Sequence, residues 1–150
     1  MADTATTRAA IVALMQTLDI GVVHAFEPYA NSKTDLKKLY VRDGLLRGWF
    51  VRRLRTREES QDLGRWTDVT RWKIHGYRAL VEDDNSEQQF DNEIELIRTA
   101  VRDDDTLGGA VDSCIVGNEA GIVLVDFQPV LFAGVLCHSA DLALNTRVYR

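Results

Sequence analysis

Cys137 and His138 stand side by side, a thiol next to an imidazole, the pairing from which a nucleophile and its base could be built. They fall inside GVLCHSADLALNTRV, which alternates as a strand does, and neighbouring strand side chains point to opposite faces. No local thiolate and imidazole pair can form there. His24, His75 and His138 lie in three separate strand-like runs without the spacing of a metal site, and read as structural histidines. The segment TLGGAVD, from Thr106 to Asp112, lacks the lysine and spacing of a phosphate loop, and no GxGxxG occurs, so Gly108 and Gly109 read as a helix-ending turn. Two acidic runs, Glu82, Asp83, Asp84 and Asp103, Asp104, Asp105, have neither the regular oxygen spacing nor the internal glycine of a calcium loop. No catalytic, metal-binding or cofactor-binding residue emerges.

The elements that would position any site centre on the stretch from Trp72 to Gly109. WKIHGYRALV is strand-like, with Trp72, Ile74 and Leu80 on one pleat face and Tyr77, Ala79 and Val81 on the other, so neither face is wholly polar. The next segment predicts a helix: Ser86 and Gln89 have capping-box spacing, and Phe90, Ile94, Ile97 and Val101 form one apolar stripe. It should stop near Arg102, where three aspartates would oppose the helix dipole. One helix covers one sheet face. The other face must be covered by something else or meet another subunit.

Before this unit, Asp3 or Thr4 can cap a helix bearing Ile11, Leu14, Met15 and Leu18, with Gly21 to close it. Val22 to Phe26 reads as a short strand and Ser32 to Tyr40 as a short helix. From Leu46 onward an aromatic strand leads through EESQDLGR, read as a mobile tip, into the central strand, forming a long hairpin. Strict alternation puts Arg53 and Arg55 with Trp49 and Val51, and Arg52 with Phe50 and Leu54. Five arginines, Arg52, Arg53, Arg55, Arg57 and Arg65, gather on this hairpin. They serve either to keep a solvated edge from aggregating or to meet an acidic partner. Downstream, Asp112 to Asn118 and Gly121 to Phe127 read as a second hairpin, Pro129 interrupts it, and a long final strand turns Leu136, Ala140, Leu142 and Leu144 to the core.

The 150 residues suit one domain with a core of its own, and the balance of 45% hydrophobic to 27% charged residues suits a globular chain. A net charge of -5 argues against a general nucleic-acid binder. No secretory leader pattern opens the chain and no apolar run approaches the roughly 20 residues of a membrane span, so a reduced, intracellular protein is expected. The fold class is α+β in two layers: a mixed, mainly antiparallel sheet of about five strands against two main helices, with a protruding hairpin.

Across almost the whole chain the order of motifs resembles the tail terminator proteins of long-tailed bacteriophages, also called tail completion or head–tail joining proteins. The segments that carry the resemblance are IGVVHAFEPY, KTDLKKLY followed by GWFVRR, RWKIHGYRAL, AVRDDDTLGGAV and GVLCHSADLALNTRV. The resemblance implies a non-enzymatic virion protein, assembled in the host cytoplasm, that forms a ring, usually of six copies, at the head-proximal end of the tail. Its partners would be further copies of itself, the major tail tube protein and a head-completion or neck protein, with no cofactor. DNA would pass through the lumen without being gripped, since an acidic wall repels phosphate. Glu82, Asp83, Asp84, Asp103, Asp104 and Asp105 are candidate lining, and the five hairpin arginines are candidate interface. The alternatives are another neck, head-completion or baseplate component, and, more remotely, a small-molecule-binding or enzymatic domain.

Overall fold

The computed structural model describes residues 3–81 and 85–150. In chain order the elements are α1 (Thr4–Gln16), β1 (Val22–His24), α2 (Lys33–Lys38), β2 (Val41–Arg42), β3 (Leu45–Asp62), β4 (Arg65–Ala79), α3 (Ser86–Asp103), β5 (Ile115–Val116), β6 (Glu119–Ala120), β7 (Ile122–Phe132) and β8 (Val135–Tyr149). Strands run in the order β1, β3, β4, β8, β7, with β2 on the free start of β3, and only the β1–β3 pairing is parallel. This is the expected α+β architecture of a mixed sheet with two long helices and a long hairpin.

The core lies between the sheet and the two long helices. Trp49 and Val51 of β3, Trp72 and Ile74 of β4, and Ala140, Leu142 and Leu144 of β8 meet Ile11 and Met15 of α1 and the stripe Phe90, Ile94, Ile97 and Val101 of α3. Removing side chains of this size from water is what holds the layers together, at about 1.5–3 kcal/mol each. Trp72 also satisfies its indole N–H by donating to the Thr146 hydroxyl at 3.0 Å. On the opposite face a smaller cluster of Tyr40, Leu46, Phe50, Ala79 and Cys137 gathers under α2. Tyr77 and Phe132 stack there at 3.9 Å. Gly48 lets the Tyr40 ring lie on the strand, since a Cβ at that position would stand 2.4 Å from the ring.

Several local expectations give way. Ser86 does not cap α3: Asn85 holds that place without a side-chain bond, and the Ser86 hydroxyl is 2.9 Å from His138 Nε2 instead. A buried imidazole facing it across the layer out-competes a local cap. Asp3 does cap α1, accepting from the Thr6 amide at 2.7 Å. That helix ends at Gln16, so Gly21 does not close it; Gly21 lies where a Cβ would come 2.3 Å from the Arg47 carbonyl oxygen. EESQDLGR is not a loop, because β3 and β4 stay paired as far as Asp62 and Arg65 and only Leu63 and Gly64 turn. Nor does Pro129 interrupt β7, which runs through it opposite His138. An edge strand needs no amide on its outer side, so proline is tolerated there. The second hairpin is the short pair β5 and β6, while β7 pairs with β8.

Candidate functional site

The arginine hairpin is where the structure departs most from simple alternation. Leu54 is an extra residue in β3: Arg53 is paired with Trp72 and Arg55 with Arg71. A bulge of this kind moves the following side chains to the other face. Arg55 therefore does not join Trp49 and Val51; it turns to the open face, with Arg52 and Arg57. Arg53 stays on the helical side, within 3.4 Å of the Thr4 hydroxyl. Arg52 pairs with Glu27 at 3.4 Å and Arg57 with Glu59 at 2.9 Å. Arg65 lines a hollow with Glu59, Asp62, Arg147 and Tyr149. Between Arg52 and Arg71 six arginines face four acids in a chain of net charge -5. Leu63 at the tip is fully exposed and Trp66 half exposed. Arginine and aromatic side chains with little apolar cover are the composition of an interface core more than of a solvated edge.

Of the acidic candidates, Glu82, Asp83 and Asp84 lie outside the described residues. Asp104 is committed to its own turn, accepting from the Gly108 amide at 2.8 Å and from the Thr106 hydroxyl at 3.3 Å. This staples the tight turn in which Leu107, Gly108 and Gly109 all have positive φ. Asp103 is exposed at the end of α3, and Asp105 edges a hollow with Arg98, Arg102 and Cys114.

On the open face β4 and β8 bring together three residues that sequence reading kept apart. Ser139 Oγ is 2.8 Å from His75 Nε2, and His75 Nδ1 is 3.5 Å from Asp141 Oδ1. The order is that of a nucleophile, a base and an orienting carboxylate. Burial, helped by Lys73, lowers the His75 pKa against the pull of Asp141. Yet Ser139 is 5% exposed, and β8 is paired on both sides by β4 and β7. Its amides are held in the ladders, so the strand presents no donors to a developing oxyanion. The group packs with Phe50 and Tyr77 and acts as a polar seam of the sheet. His24 bonds the Leu39 carbonyl at 2.6 Å, so each of the three histidines has a protein partner. Among the described residues no three His, Cys, Asp or Glu side chains converge as a metal site requires.

Sequence reading missed Glu93. It sits on the apolar stripe of α3, 3% exposed, with Arg47 Nη2 at 3.1 Å and Arg78 Nη1 at 3.4 Å. Arg47 and Arg78 face each other across β3 and β4, and Arg78 also donates to Gln89. One carboxylate thus ties α3 to both strands. Its position, three residues after Phe90 and four before Ile97, was the available signal.

Cys114 and Cys137 are free and buried. Burial pushes their thiols up to about 12 and about 11 respectively, leaving almost no thiolate at neutral pH. Neither thiol is expected to react with an aromatic disulfide reagent in native protein over an hour, and both should react in denaturant. A fast native thiol would show an opening of the core that the packing does not permit.

No protein-family model matches the chain, and no curated protein gives a significant match. Among the described residues no helix is long and apolar enough to cross a membrane.

Proposed function

We propose that the chain is a tail terminator: a subunit of a closed ring, usually of six copies, that caps the head-proximal end of a phage tail tube. There it stops tube growth and offers the neck a surface. The observation that carries this reading is the asymmetry of the sheet. One face is sealed by α1 and α3, while the other has only the short α2 over one end and leaves a band of charged and aromatic side chains open beside the arginine hairpin. Such a surface suits contact between subunits or with the tube. The motif order set out above supplies the particular assembly, and the net charge of -5 favours a conduit that lets DNA slide.

The test is electron microscopy of tails assembled from the tube protein encoded in the same genome, with and without this chain. With it, tails should have uniform length and a ring of density at the end that joins the head. Without it, tubes should overgrow. Density at the distal tip would instead favour a baseplate component, and unchanged tube length would overturn the proposal.

A further inference from the structure

Two surfaces of opposite character lie at opposite ends of the molecule. The first is the far half of the β3–β4 hairpin, with Arg55 and Arg57 on the open face and Leu63 and Trp66 exposed at the tip. The second is the outer flank of α3, where Glu87, Asp91 and Glu95 recur every fourth residue, all exposed, with Glu95 holding Arg98 at 2.6 Å. The start of α3 is anchored near the far ends of β4 and β8 by the bonds of Ser86 to His138 and of Glu93 to Arg78. From there to Trp66 the sheet extends about 40 Å at about 3.3 Å per residue. The acidic flank also lies on the helical layer, whereas Arg55 and Arg57 turn to the open face. These two surfaces cannot meet within one subunit.

We infer that the arginine hairpin of one copy docks along the acidic flank of α3 in the next. The dimensions fit: Glu87 to Glu95 spans about 12 Å along a helix, and Arg52 to Arg57 about 16 Å along a strand. Because the two patches differ, the contact is head to tail, and such contacts repeat until the rotation closes a ring or fails to close and makes a filament. The inference rests on the ring reading and names the surfaces that join its subunits.

Charge reversal tests it. One variant carries Arg55→Glu and Arg57→Glu, a second carries Glu87→Arg and Asp91→Arg, and a third carries all four; every altered side chain is exposed. Self-association is measured by native mass spectrometry and sedimentation, on free protein and on purified tube ends. Each two-site variant should weaken self-association at least tenfold. An equimolar mixture of the two should assemble by alternation, since a reversed hairpin then meets a reversed flank and a natural hairpin a natural flank, and the four-site variant should recover closed rings. If the natural chain closes rings that neither reversal affects, the docking is wrong and the ring stands. If the hairpin variant self-associates normally but no longer caps tubes, the hairpin's partner is the tube and the inference falls. If the natural chain stays monomeric even on tube ends, both readings fall.

Discussion

Gly76→Val is expected to cost the fold about 3 kcal/mol or more, the upper end of what overpacking does to a core. A Cβ on Gly76 would stand 2.4 Å from two carbons of the Trp49 indole, which lies across the strand directly opposite. The indole has nowhere to go. It is fully buried and stacked on Phe90 at 5.4 Å, and Phe90 is itself pinned by the rest of the α3 stripe. Trp49→Leu should itself destabilise, since it removes buried ring atoms and leaves a cavity. In that background, however, Gly76→Ala should cost much less than it does in the natural chain, because the two residues compete for one volume. Urea midpoints of the two single variants and the pair measure this coupling. A Gly76→Ala variant within about 0.5 kcal/mol of the natural chain would mean that the indole shifts freely.

The contrast between Gly76 and Arg55 shows what a sequence carries and what it does not. The α3 stripe is legible because helical periodicity is local: Phe90, Ile94, Ile97 and Val101 must share a side whatever they pack against. The β8 pattern is legible for the same reason: Ala140, Leu142 and Leu144 do face the core, but Leu136, at the start of the strand, is 55% exposed beside Leu80. Arg55 was not legible, because its face depends on an extra residue at Leu54, and a bulge is a property of a strand pair. Pro129 misled because tolerance of proline depends on whether the strand lies at an edge. Ser86 and Gln89 had the spacing of a capping box, but both side chains found stronger partners across the layer, in His138 and Arg78. The Ser139, His75 and Asp141 group needed the register of β4 on β8, which no single-strand pattern contains. Glu93 could have been found. A glutamate on a buried stripe requires a cation, and simple alternation puts Arg47 on the side of Trp49 and Val51 and Arg78 on the side of Trp72 and Ile74, the side that the helix covers.

Glu93 gives the second large effect, and its sign follows from linkage. Burial pushes the carboxyl from an ordinary value of 4.5 up to about 7, against the attraction of Arg47 and Arg78. A folded-state value above the unfolded one means that the native protein holds a proton the unfolded chain has lost between those two pH values. The contribution is therefore fully present below about pH 4.5 and is lost as pH rises through about 7, by roughly 3 kcal/mol at 1.36 kcal/mol per unit. Glu93→Gln keeps the shape and one acceptor for the arginines but cannot ionise. Its stability relative to the natural chain should rise by about that amount between pH 5 and pH 8. His75 and His138 act in the opposite sense, since burial lowers both and their contribution is lost as pH falls below about 6.5. Both proteins share those histidines, so their effect cancels in the difference. Urea unfolding of the two proteins at pH 5, 6, 7 and 8 isolates the carboxyl. A constant gap across that range would mean that the paired guanidiniums keep Glu93 ionised throughout, and that attraction, not desolvation, governs this contact between α3 and the sheet.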